Sequence, residues 1–280
     1  MTSTLKSTWQ VVSGTSLGGH HLLTGTPNQD AVSARSAGSE GSLVAISVAD
    51  GHGSEYCFRS DVGSSAAVEI ATRLGVDFLE RHGHLPAETL STAATEELIP
   101  LIVNEWTTRI NEHRRLEPLT SHESTLSLPD GVENSLLPYG TTLLLALITD
   151  HCGLVLQVGD GDAIAVDTRG NVSLPVPPDS DLVAGTTASL CSSHASSQFR
   201  VGITDPEQGP IALWALVTDG YGNSFSDPQW QQQVGSDLLK HLSENGVAWV
   251  QERIGSWLAE SASAGGDDVS MVLAVRSDAR

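Results

Sequence analysis

Five short apolar runs constrain the fold of this chain more than anything else in it: LVAISVA, TTLLLALIT, LVLQV, IALWALV and SMVLAV. Each is the length of a fully buried strand, and none approaches the roughly 18 apolar residues that a membrane span needs. They do not alternate one by one with helices. Between LVAISVA and TTLLLALIT, apolar residues at Val62, Ala66, Ile70, Leu74 and Phe78 set a helical period over Asp61–Glu80, with Gly83 as its stop. A second helical stretch runs from Ala87 to Arg115, with Pro100 as a kink or break. Two more helices are expected between Gln229 and Ala262, and SMVLAV follows as a final strand. Strand blocks separated by helix pairs predict an α+β layered sandwich, not a regular parallel βαβ sheet.

The N-terminal stretch reads as short β pieces between Gly and Pro turns. Glu117–Pro138 and the Ser-, Thr- and Pro-rich Pro175–Pro210 read as loops, the latter near any active site. No stretch reads as a linker, so residues 1–280 are expected to form a single domain.

The charge balance narrows the function classes. With 34 acidic against 14 basic residues the net charge is −20, which repels phosphate backbones and anionic lipid, so neither nucleic acid nor membrane is an expected partner. MTSTLKSTWQ has no hydrophobic segment of the signal-peptide kind. Cys57, Cys152 and Cys191 are odd in number and lack a CxxC, which suits reduced thiols in a cytoplasmic protein.

Three of the runs lie against an aspartate: Asp50 in SVADGHG, Asp219 in LVTDG and Asp267 in GGDDVSMVLAV. Asp-Gly pairs are turn formers, and at any one of these places a turn explains the residues. Carboxylates converging at strand ends beside glycine are also what oxygen-seeking cations such as Mg²⁺ or Mn²⁺ require. His52 stands within reach of the same spot.

Six motifs then fall in order: PNQD at 27–30, DGHG at 50–53, GTT at 140–142, VGDGD at 158–162, TDG at 218–220 and GDDVS at 266–270. Together they resemble the PP2C-like (PPM) metal-dependent Ser/Thr protein phosphatases, from about Gly14 to Val275. The resemblance implies a four-layer α-β-β-α sandwich, two central antiparallel sheets flanked by helices, with two Mn²⁺ or Mg²⁺ ions between the sheets. By resemblance Asp50 bridges the ions, the Gly51 carbonyl ligates one, and Asp219 and Asp267 hold the other. Asp30 acts from behind the ligands through water. Asp268 supports the start of the strand, and Asp160 is structural. The implied reaction hydrolyses phosphoserine or phosphothreonine with a metal-activated water, opposing a Ser/Thr kinase, with His52 as general acid.

The chain departs from the family at three places. Gly25 stands where a phosphate-binding arginine is usual; His20, His21, Arg35 and Arg59 are conceivable substitutes, each more simply read as surface or structural. Leu137 and Asn223 stand where acids hold a third metal, so a third site is expected to be weak or absent. These losses support a second reading, a PP2C-like regulatory binding module with little or no turnover. Other motifs carry less. GTSLG at 14–18 fits a nucleophile elbow, but Gly25 and Pro27 leave little room for the helix it needs. The GDGD stretch lacks the oxygen ligands of a calcium loop and the third glycine of a dinucleotide site.

Overall fold

A computed structural model describes residues 8–38, 41–126, 136–178, 187–204 and 209–277. The strands are β1 (Trp9–Ser16), β2 (Ala31–Ala37), β3 (Leu43–Ala49), β4 (Leu143–Ile148) and β5 (Gly153–Val158), then β6 (Asp162–Asp167), β7 (Val172–Ser173), β8 (Arg200–Ile203), β9 (Ile211–Val217) and β10 (Val269–Arg276). The helices are α1 (Gly19–Thr24), α2 (Ser60–His82), α3 (Ala87–Ala93), α4 (Ile99–Leu116), α5 (Asp219–Gly222), α6 (Trp230–Asn245) and α7 (Val247–Gly265).

The strands form two five-stranded sheets, in the orders β1-β10-β9-β6-β7 and β2-β3-β4-β5-β8. Every pairing is antiparallel. Side chains alternate across each strand and so define the layers. Val44, Ile46 and Val48 of β3 meet Trp214 and Leu216 of β9 and Val272 and Ala274 of β10 between the sheets. The opposite face of β3 and β4 packs Ala45, Leu145 and Leu147 under Ala71, Phe78 and Trp106 of α2 and α4. Leu213, Ala215, Val217, Met271 and Leu273 face Val234, Leu238, Ile254 and Leu258 of α6 and α7. The predicted α+β four-layer sandwich is therefore the observed fold.

Local departures have local causes. Between α3 and α4 the chain runs through a π turn at Ala94–Leu98, directly before Pro100 near the start of α4. A proline cannot supply its N–H to the preceding turn, and the widened turn absorbs the defect without breaking the helical path. The Pro175–Pro210 stretch is not all loop: β8 adds an edge strand to β5. A helix also follows GTSLG after all. The six residues of α1 are fastened from outside the segment, His20 N–H donating to Gly266 O at 3.0 Å and Gly18 N–H to Asp268 Oδ1 at 2.7 Å. Parts of both expected loops, residues 127–135, 179–186 and 205–208, lie outside the described residues.

Candidate active site

The C-terminal ends of β3, β5 and β9 and the N-terminal ends of β4, β6 and β10 meet at one end of the sandwich. There they surround a cavity of about 430 Å³, lined by Asp50, His52, Asp160, Asp219 and Asp267 together with Cys57, Leu137, Thr142 and Thr187.

Asp50 is fixed through its backbone. Its N–H donates to Thr142 Oγ1 at 2.9 Å, while its carbonyl accepts from Thr142 N at 2.8 Å and Thr141 Oγ1 at 2.9 Å. The next residue has no room for a side chain. A Cβ on Gly51 would stand 2.6 Å from Gln29 O and 2.9 Å from Ser60 Cβ, so only glycine lets the chain turn from β3 into the loop before α2. Asp219 opens the four-residue α5, and Asp267 sits at the exposed rim beside the start of β10.

These carboxylates face one another with few donors. Burial pushes the Asp50 carboxyl well above the usual range, and Asp219, within hydrogen-bonding reach, pushes it further. The protein packed around the Asp267 carboxyl raises it, and Asp219 adds to this. Asp219 Oδ1 is buried with no hydrogen-bond partner; Oδ2 accepts from Asn223 Nδ2 at 3.2 Å. His52 is lowered by burial, an effect that Asp160 and Asp219 oppose.

Beneath this layer the acids are satisfied. Asp30 accepts from Thr218 Oγ1 at 2.6 Å and does not line the cavity; burial raises it, and Thr218 partly offsets that. Asp268 accepts from Gly18 N–H and Gln29 N–H, both at 2.7 Å, and lies 2.9 Å from His21 Nδ1. It supports the strand start, as expected, and does so by binding it to two N-terminal segments. Asp160 is the acid expected to be structural. It lines the cavity, accepts from Thr187 Oγ1 at 2.7 Å, and is raised by burial. Its turn crosses from β5 in one sheet to β6 in the other, which brings it to the mouth.

The candidate phosphate clamps do not reach this cavity. Arg59 is fully engaged elsewhere: its guanidinium forks onto Glu123 at 2.7 and 2.9 Å and also donates to Glu117 O, Pro118 O and Tyr139 OH. Arg35 is exposed on β2, and His20 on α1. Gly25 caps α1 in the left-handed region, φ 73°, a backbone that side chains rarely adopt. That geometry accounts for the absence of an arginine there.

The pattern that defines the family described as Protein phosphatase 2C matches residues 17–259. The chain belongs to the protein phosphatase 2C family. Solved structures with the protein phosphatase 2C fold agree. Stp1, a serine/threonine phosphatase from Staphylococcus aureus, superposes with TM-score 0.57 at 14% identity, over 97% of this chain and 96% of that one. PppA, described as a key regulatory component of T6SS in Pseudomonas aeruginosa, gives 0.56 at 16%, covering 96% and 98%. The catalytic domain of PstP, a serine threonine protein phosphatase solved with two manganese ions, gives 0.52 at 17%, covering 97% and 100%. No curated protein sequence matches the chain.

Among the described residues, no three His, Cys, Asp or Glu side chains stand grouped as they would around an ion. The donors nonetheless fit a hard divalent cation of the kind the protein phosphatase 2C family uses. They are all oxygens, they repel one another, and one buried acceptor on Asp219 has no partner.

Proposed function

We propose that this chain is a metal-dependent phosphatase of phosphoserine and phosphothreonine in proteins, acting as one unit over residues 1–280. What supports the reading above all is the cavity that Asp50, Asp219 and Asp267 line together with His52 in a protein phosphatase 2C frame. Asp50, the Gly51 carbonyl, Asp219 and Asp267 would hold two Mn²⁺ or Mg²⁺ ions, and Asp30 would steady the arrangement from behind through Thr218. Such ions, when bound, acidify a water molecule and neutralise charge on a phosphoryl oxygen.

The side chains supply the rest. Asp50 and Asp219, as holders of the ions, would fix where the attacking water stands. A ring N–H of His52 gives its proton to that oxygen as the bond to phosphorus breaks. Asp160 and Asp219 favour the protonated imidazole that this step needs, against the burial that disfavours it. Leu137 and Asn223 add no carboxylate, so no strong third metal site forms. The partners are phosphoproteins whose phosphate a Ser/Thr kinase installed. Among the described residues no helix is long and apolar enough to cross a membrane, and the cytoplasm is the compartment proposed.

The deciding experiment is p-nitrophenyl phosphate hydrolysis with Mn²⁺, with Mg²⁺ and with EDTA, beside Asp219→Asn. Hydrolysis that needs metal and collapses in the variant is expected. Calorimetric Mn²⁺ binding without turnover would replace this reading with the regulatory binding module that Gly25, Leu137 and Asn223 favour.

A further inference from the structure

A second recess, of about 210 Å³, opens where the end of α5 meets α6 and α7. Leu238 lies on its floor, and Tyr221, Phe225, His241 and Trp257 bring rings to its walls. Asp237, exposed on α6, supplies the carboxylate. Phe225 is 38% exposed although it stacks on Trp230, 5.3 Å between centroids at 10°. Aromatic rings beside one carboxylate suit an organic cation: the rings attract it and the carboxylate pairs with it.

The chain already shows this chemistry nearby. His241 stacks with Trp249 and lies 5.6 Å from Trp257, and the guanidinium of Arg253 covers Trp249 at 4.1 Å from its centroid. The recess shares His241 and Trp257 with this ring cluster. The recess and the cavity adjoin one element: Asp219 and Tyr221 share the four-residue α5, on different sides of its single turn. A polypeptide with its phosphate in the cavity would pass α5 to bring a neighbouring residue to Phe225 and Asp237. The net charge of −20 favours a basic visitor on this surface.

The geometry points to a docking site for an arginine or lysine side chain of the phosphoprotein substrate, a few residues from the phosphorylated position. This rests on the phosphatase reading and narrows its substrates to phosphosites with a basic neighbour.

The test compares phosphothreonine peptides in which a single arginine is moved along an alanine background. At the favoured offset, kcat/KM should exceed that of the all-alanine peptide about fivefold to tenfold, the scale of a cation–π contact joined to one carboxylate. The Asp237→Asn, Phe225→Ala double variant should bring the ratio to about one and leave p-nitrophenyl phosphate hydrolysis unchanged. A second arm titrates the unphosphorylated arginine peptide against tryptophan fluorescence and needs no turnover. A quench lost in Asp237→Asn supports the site. Equal peptides in the wild type, an arginine preference that survives the double variant, or no Asp237-dependent quench would each overturn it. So would a dimer in solution that Phe225→Ala converts to monomer, because a second copy would then cover the recess. Absence of p-nitrophenyl phosphate hydrolysis would sink the phosphatase reading alone, and the fluorescence arm would still decide the docking site.

Discussion

The mouth of the sandwich and the seam just beneath it treat carboxylates in opposite ways, and the neighbours Asp267 and Asp268 fall on either side of the divide. Asp267 is exposed on the cavity, with Asp219 nearby and its own group raised. Asp268 is 2% exposed and takes two backbone N–H bonds from Gly18 and Gln29. Asp167, at the end of β6, resembles Asp268. Burial alone would raise it, but donors from Asn171 and Arg169 bring it below the usual range. Carboxylates that build the frame are saturated with donors, and those at the mouth keep lone pairs unused. A group of the first kind should matter for stability and one of the second for chemistry.

The sharpest way to break this contrast is the pair of neighbours itself. Asp267→Asn should lower turnover of p-nitrophenyl phosphate by about 100-fold or more, the scale of a lost cation ligand. In EDTA the same variant should melt no lower than the wild type, because it removes a repelling charge. Asp268→Ala should instead cost about 3 kcal/mol in urea unfolding, from two orphaned buried N–H groups. If Asp267→Asn lost as much stability as Asp268→Ala, the division would fail.

Next in size is the fork between Arg59 and Glu123. Arg59 holds the Glu123 carboxyl down at about 2 from an ordinary 4.5. A depressed acid stabilises the fold above its unfolded pKa, and that stabilisation is lost as pH falls toward the folded value. Glu123→Gln should therefore cost about 2 kcal/mol at neutral pH. The gap between variant and wild type should close as pH drops from 4.5 toward 2, read by chemical denaturation at each pH. A gap independent of pH would remove the ion pair from the account.

The smallest effect concerns the mouth again. Asn223 Nδ2 is the one side-chain donor bonded to Asp219 Oδ2 among the described residues. Asn223→Asp should destabilise the protein in EDTA by about 1 kcal/mol through like-charge repulsion, and Mn²⁺ should reverse the loss. Differential scanning fluorimetry in the two conditions checks both halves; a drop that Mn²⁺ does not reverse would contradict it.

Much of the frame was legible because the signals were local. The spacing of Val62, Ile70 and Phe78 marks α2 to within two residues at each end, and the apolar runs mark β3, β4, β5, β9 and β10. The convergence of Asp50, Asp219 and Asp267 on one cavity could be read because each closes or opens such a run. What escaped depends on partners far along the chain. Asp160 looked like a turn former, and only the crossover between sheets carries it to the cavity. Helix α1 is too short for any periodicity and forms because Gly266 and Asp268 hold it. The Arg59–Glu123 fork joins residues 64 apart. The aromatic recess gathers rings from three helices and the loop after α5, and no single element announces it.

The bond from Gly18 N–H to Asp268 spans 250 positions of sequence, and β1 finds its partner β10 across the same gap. During synthesis β1 emerges early and stays unpaired until nearly all the rest of the domain has been made. The edge of β9 is likewise left open until β10 inserts between them. Such distant closure is slow and leaves strand edges exposed to other chains in the meantime. Because Asp267 arrives with that same strand, a nascent chain lacks a complete set of mouth carboxylates until its two halves have been joined. The cavity thus gains its last carboxylate at the same moment as the chain gains its last sheet.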